Sequence, residues 1–384
     1  MDFHSLEHWH QNNKEQALAG RYITHEHIQR VLDTYKTNFV IREIGFSVEG
    51  RNIQSIQLGS GQLKVLAWSQ MHGNESTTTK AVFDLLKFFS SESAEAATIL
   101  KQITLYIIPM LNPDGAERFT RVNANGVDLN RDAQQLSQPE SRIFKELYEE
   151  IQPDLALNLH GQRTIFGVGN PSRSATVSLL SPAQDEERTV TPSRKRAMAI
   201  IASINTMLQE FIPAGVGRYD DSYNINCVGD TLQCLNIPTI LFEAGHFPGD
   251  YHREKTRCLI FLSLIKTLEN FIDSPESLDT DSERYFTIPE NKKCFYDFIF
   301  RNVQLPEQGI CDIAVHFEEK LVNKCLDFIP KIEKIGDLSD FYGHKEYNLN
   351  GQKPLLKPHN QWFEGAVVEQ ISWNSEKTIT FSVN

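Results

Sequence analysis

Ser69-Gln70-Met71-His72-Gly73-Asn74-Glu75 follows the apolar run Leu63, Val65, Leu66, Ala67, Trp68 and precedes a helical pattern from Ala81 to Phe89. The apolar run reads as a strand, so His72 and Glu75 stand on the tight turn that leaves it, with both side chains able to face one ion. Imidazole and carboxylate together suit a borderline metal such as zinc. A catalytic zinc takes three protein ligands and leaves its fourth position to water, so the sequence must supply one more ligand. His160 is the candidate, because it ends the apolar stretch Leu155, Leu157, Leu159 and is followed by Gly161.

Working outward, apolar runs and helical patterns alternate. Ile103 to Met110 is nearly continuous apolar and is expected to be covered on both faces. Helical patterns cover Thr77 to Phe89, Glu140 to Ile151, Ser193 to Phe211 and Tyr251 to Phe271. Such alternation predicts an α/β domain whose twisted sheet is mixed, mostly parallel and flanked by helices. His72, His160 and Glu243 all fall at or just past the C-terminal end of an apolar strand, the edge where open α/β sheets bind ligands. A hairpin, Phe39 to Ile44 and Ile53 to Leu58, leads into the decisive strand. The polar stretch between Ser172 and Glu187 reads as a surface loop.

At both ends the pattern changes. Residues 1–37 read as a helical segment at the front of the catalytic domain, which is assigned 1–273. Its histidines His4, His8, His25 and His27 lack an acidic or cysteine partner at ligand spacing and are read as structural. Residues 274–283, acidic, small and breaker-rich, read as a linker. Residues 284–384 read as a small β-rich C-terminal domain, with strands expected at Cys294 to Phe300, Cys311 to Phe317, Gly365 to Ile371 and Lys377 to Val383.

The chain has 384 residues, enough to bury a large core, and a formal net charge of -12, which argues against nucleic acid or an anionic membrane as partner. No run approaches membrane-spanning length. The N-terminus shows no basic segment followed by an apolar core, and the six cysteines have no C-x-x-C spacing. A reduced cytoplasmic setting is the expectation.

Further motifs follow in order: Asn112-Pro113-Asp114-Gly115, then Arg121 to Arg131, then Leu157-Asn158-Leu159-His160, then Thr239 to Gly245. Together with His72 and Glu75 they make the chain resemble the zinc carboxypeptidases, the carboxypeptidase A-like metallopeptidases, over about residues 40 to 270. The resemblance implies one zinc ion per chain held by His72, Glu75 and His160, with Asp128 accepting a hydrogen bond from His72 and so fixing its tautomer. Asp128 also reads as a turn carboxylate after Gly126. Glu243, carried into a cleft by Ile240-Leu241-Phe242, suits a general base, since burial raises a carboxylate pKa towards the working range.

By the same resemblance Arg121 stabilises the oxyanion, with Arg118 a nearby competitor, and Asn130 and Arg131 hold the terminal carboxylate of the substrate. A tyrosine that closes over the bound end is expected at Tyr223, with Tyr219 the alternative, and Asp230 lies near the position that sets side-chain preference. Gly161-Gln162-Arg163 and Asp132-Ala133-Gln134 depart from the family's pattern, which leaves substrate preference open. The implied activity is removal of a C-terminal amino acid from a peptide with a free carboxylate. The alternatives are a zinc amidase or deacylase of γ-linked, cell-wall-derived or N-acyl amino acid substrates, and a zinc-binding scaffold without catalysis.

Overall fold

The computed structural model describes residues 1–273, 278–306, 308–359, 361–374 and 377–383. In chain order the strands of the larger part are β1 (Val40–Phe46), β2 (Asn52–Gly59), β3 (Leu63–Ser69), β4 (Ile103–Ile108), β5 (Leu155–Gly161), β6 (Phe166–Val168), β7 (Arg173–Ser174), β8 (Val177–Leu180), β9 (Val216–Arg218), β10 (Thr239–Ala244) and β11 (Lys292–Lys293). Helices are α1 (Phe3–Asn13), α2 (His25–Tyr35), α3 (Thr77–Phe89), α4 (Ala94–Gln102), α5 (Pro113–Arg118), α6 (Pro139–Ile151), α7 (Pro192–Leu208), α8 (Val228–Cys234), α9 (Glu254–Asp273) and α10 (Leu278–Tyr285).

Eight strands form the central sheet in the order β1-β2-β4-β3-β5-β10-β8-β9. The middle pairs β4/β3, β3/β5 and β5/β10 are parallel, as is β8/β9, while β1/β2, β2/β4 and β10/β8 are antiparallel. Alternation along β3 shows how the sheet is covered. Val65 and Ala67 enter one core with α3, α7 and α9, whereas Leu66 and Trp68 enter another with Phe144 and Leu147 of α6 and Leu232 of α8. Period-two side chains on strands and apolar stripes on helices therefore give three layers, as the α/β expectation requires.

Two expectations are corrected. The supposed loop from Ser172 to Glu187 contains β8, whose four residues are all buried and which pairs with β10, Ser178 standing opposite Glu243. Val177, Leu179 and Leu180 are apolar enough to fill an interior strand, and the polar residues around them hid a segment this short. The supposed linker 274–283 is also wrong for most of its length. Residues 274–277 lie outside the described residues, but 278–283 begin α10, which lies against α7 and ends in the fully buried Tyr285. Tyr285 and Ile288 join the main core, and β11 pairs with β6, so the first ten residues assigned to the C-terminal domain belong physically to the catalytic part.

Beyond them the β-rich expectation holds. A four-stranded sheet contains β12 (Phe295–Leu305), β13 (Gly309–Val322), β14 (Cys325–Gly336) and β15 (Tyr342–Asn348), in the order β14-β13-β12-β15. A three-stranded sheet, β16 (Leu355–Lys357), β17 (Gln370–Trp373) and β18 (Lys377–Thr380), shares a core with it through Phe298, Phe300, Ile332, Ile371, Trp373 and Phe381. Tyr251 of the catalytic part is buried in that same core.

Candidate metal centre and cleft

The turn after β3 is shaped by several independent constraints. Gln70 adopts a left-handed φ of 49°, and its amide donates to the carbonyls of Gly73 and Ile23, both at 2.8 Å. Asn112 donates to Met71 O at 3.1 Å. Gly73 is required by close approach: a Cβ there would lie 1.9 Å from the Gly115 carbonyl carbon, so the two glycine-bearing motifs interlock. With the turn fixed, Glu75 reaches back beside His72 before α3 begins.

Three donor groups then converge. His72 Nδ1 lies 2.9 Å from Glu75 Oε1, His160 Nδ1 lies 2.9 Å from Glu75 Oε2, and the two Nδ1 atoms are 3.1 Å apart. Ligands about 2.0–2.1 Å from a tetrahedral zinc stand roughly 3.3 Å from one another, so the spacing suits that ion. Two imidazole nitrogens facing each other at hydrogen-bond range also leave at least one lone pair for a cation to use. Among the described residues this is the only such cluster of metal-binding groups. Burial lowers the pKa of His160, which favours the neutral form a metal requires. Glu75 is pushed up by its burial, but the adjacent His72 and His160 outweigh this and hold it in the carboxylate form.

A surrounding layer orients the donors. Asp128 Oδ1 stands 3.0 Å from His72 Nε2, and Asp128 Oδ2 accepts from Arg121 Nε at 3.0 Å. Arg121 also reaches Glu75 Oε1 at 3.4 Å, whereas Arg118 turns away to pair with Glu49. Asp128 caps the short helix Leu129–Arg131 by accepting from Asn130 N, so its turn role and its contact with His72 coexist.

Glu243 sits directly opposite His160 in the parallel register of β10 and β5. Its Oε2 is buried without a hydrogen-bond partner, and burial, then the neighbouring Glu75 charge, pushes its carboxyl well above the ordinary range. Glu75, Arg121 and Glu243 line one cavity of about 660 Å³. A buried carboxylate with an open acceptor beside a cation site is the arrangement for moving a proton to and from bound water.

Other expected residues are distributed differently. Tyr219, just past β9, lines the cleft with Glu243, and its hydroxyl is pushed far up by burial and then by Glu243 and Glu75. Tyr223 does not line it, and its hydroxyl contacts Cys234 Sγ at 3.5 Å, so the closing-tyrosine expectation moves from Tyr223 to Tyr219. Asn130 Oδ1 accepts from Val228 N at 3.1 Å, and Arg131 donates to Asn130 O. Neither lines the cavity. Asp230 is buried, and burial raises its pKa to about 6. His25 and His27 serve as a bridge to Asn52 and as a helix-capping acceptor, as their structural reading requires.

Sequence reasoning missed the cleft's far wall. Phe317, Glu319 and Lys331 of β13 and β14 line the same cavity as Glu243, although they lie more than 70 residues further along the chain.

Comparison with known proteins bears on this geometry. The zinc carboxypeptidase family matches residues 24–226, which contain His72, Glu75, Arg121 and His160. Carboxypeptidase 2 of Trichophyton rubrum is 30% identical over 148 residues, which are 36% of this chain and 28% of that protein. The chain thus aligns with well under half of that relative. A metallo-carboxypeptidase from Burkholderia cenocepacia superposes with a TM-score of 0.51 at 18% identity, covering 65% of this chain and 70% of the other. Carboxypeptidase A from Helicoverpa armigera does so with a TM-score of 0.51 at 16% identity, covering 66% and 75%. At such identity these likenesses speak for the fold.

Proposed function

The chain belongs to the zinc carboxypeptidase family, and from that premise we propose that it is a zinc-dependent carboxypeptidase that hydrolyses the last peptide bond of a peptide with a free C-terminal carboxylate. The observation that carries the reading is the unpartnered Glu243 carboxylate beside the converged His72, Glu75 and His160 donors. Zinc bound there would supply Lewis acidity and a water acidified to a pKa of about 7.

The chain's own groups account for the rest. Glu243 accepts a proton from the attacking water and returns it to the leaving amine, a transfer favoured by the rise that burial and the Glu75 charge give its pKa. Arg121, half exposed at the cleft and braced by Asp128, presents its remaining N–H groups to the developing oxyanion. Tyr219 closes the cleft beside the reacting bond. Arg131 makes no ion pair among the described residues, which leaves its fork for the substrate carboxylate, with Asn130 held next to it by Val228. All six cysteines are free.

A second reading, an amidase or deacylase, draws support from the placement of Asn130 and Arg131 outside the cavity lining. Peptides with free, amidated and γ-linked ends, assayed with and without a chelator, separate the two. Chelator-sensitive hydrolysis of free-acid peptides is expected, and Arg131→Ala should raise KM for them about 100-fold, against little change for amidated ones. Equal losses on both, or hydrolysis only of amidated or γ-linked ends, would favour the second reading.

A further inference from the structure

The cleft continues past the catalytic groups into the β-rich part. A side recess of about 140 Å³ shares Arg163, Lys293, His316 and Glu333 with the main cavity and adds the rings of Phe295 and Phe341. Its position matters because a carboxypeptidase holds a single residue beyond the cleaved bond and all the rest of the chain before it. An arm of the cleft that leaves Glu243 and runs along β13 and β14 therefore suits the preceding residues.

Charge in this arm is unevenly used. Glu319 is paired with Arg21, and Glu318 with Lys331 at 2.8 Å. Arg253 is buried against the carbonyls of Ala244 and Gln162, each at 3.1 Å. Arg163 and Lys293 remain exposed and meet no carboxylate among the described residues, against one unpaired carboxylate, Glu333.

Arg163 is also held in place. Its guanidinium lies 3.3 Å from His316 Nε2, and His316 Nδ1 faces Asp297 Oδ2 at 2.8 Å. Asp297 is fixed in turn by Tyr251 Oη and Phe317 N, both donating at 2.8 Å. A cation oriented from the neighbouring module, with its other N–H groups open to a cleft, is built to receive an anion.

We propose that this recess is the subsite for residues preceding the cleaved bond and that it selects an acidic residue there, its carboxylate meeting Arg163 and Lys293 above the rings of Phe295 and Phe341. The C-terminal module would then contribute to specificity through Phe295, Phe341 and the contact of His316 with Arg163. The inference rests on the carboxypeptidase reading for the direction of the bound chain.

The test uses the full-length, zinc-loaded protein carrying Glu243→Gln, titrated with peptides that differ only in Glu, Gln or Lys at successive positions before the last bond. At one position the Glu peptide should bind about tenfold more tightly than the Lys peptide, as two partly exposed charge pairs allow. Adding Lys293→Glu, or independently Arg163→Glu, should abolish or reverse that order. Equal binding of Glu and Lys peptides at every position, or a preference that survives both reversals, overturns the subsite. Hydrolysis by the wild-type chain of the same peptides with Gln at every varied position reports separately on the carboxypeptidase reading, because it does not depend on a charge preference in the recess.

Discussion

Two clusters of buried charge hang on the two ends of α3, and they are built to opposite rules. At its C-terminal half Asp84 accepts from Arg257 Nε and Nη2, both at 2.6 Å, and from Glu15 N, and it contacts His10 Nε2 at 2.8 Å. One turn earlier Lys80 meets Glu254 at 2.6 Å, and Glu254 also takes Lys14. No side-chain atom of these residues is buried without a partner. Just before α3 the second cluster, His72, Glu75, His160 and Glu243, leaves His160 Nε2 and Glu243 Oε2 unpartnered. Burial of charge alone does not mark a site. What separates the two is unused bonding capacity: the closed cluster ties α1, α3 and α9 together, and the open one retains donors and acceptors for a ligand.

The largest expected effect breaks the open cluster. Glu243→Gln should lower turnover on the order of 10⁴-fold while zinc content, read by elemental analysis, stays at that of the wild type. Near-normal turnover would remove Glu243 from the proton path. The raised Glu243 pKa adds a pH signature: because the base is inactive when protonated, activity should fall with acidification at a pH above the ordinary carboxylate range.

Breaking the closed cluster should act on stability instead. Asp84→Asn leaves Arg257 buried beside a neutral amide and is expected to cost about 3–5 kcal/mol in denaturant unfolding. Burial raises the Asp84 pKa, but His10 and Arg257 outweigh it, and the folded value lies below the ordinary 3.8. A depressed carboxylate contributes stability above its unfolded pKa and loses it as pH falls through the folded one, so the wild-type advantage over Asp84→Asn should shrink only in strong acid. An advantage that disappears near neutrality would contradict the pairing.

Metal removal gives a smaller and reversible change. At free zinc 100 times its dissociation constant, binding contributes about 2.7 kcal/mol, so a chelator should lower the unfolding midpoint and added zinc restore it. His160→Ala should show the low midpoint with either treatment. The smallest effect concerns Lys80, whose pKa burial pushes down to about 8 in spite of Glu254. The unfolded chain holds that proton up to about pH 10.4, so this lysine makes stability rise between the two values, and Lys80→Met should flatten the rise.

The strands and helices that carry the centre were legible because their signals are local. His72 and Glu75 share one turn, His160 ends an apolar strand, and Glu243 follows three apolar residues. Where local signals were short or ambiguous the reading failed. β8 has only four residues inside polar surroundings, α10 is polar apart from Leu278 and Tyr285, and Tyr219 and Tyr223 lie four positions apart in irregular chain. Choosing between the two tyrosines needed the path of the chain after β9.

By itself the sequence determined the α/β alternation, the residues of the His72, Glu75 and His160 cluster that could hold a metal, and the likeness to zinc carboxypeptidases, since each is written in residue types near the ends of apolar strands. Only the tertiary structure decided that Ser178 backs Glu243, that Arg118 is diverted to Glu49, and that β13 and β14 wall the cleft. Those outcomes depend on which distant segments pair and bury one another, and contacts across 65 or more residues leave no periodic trace in the chain.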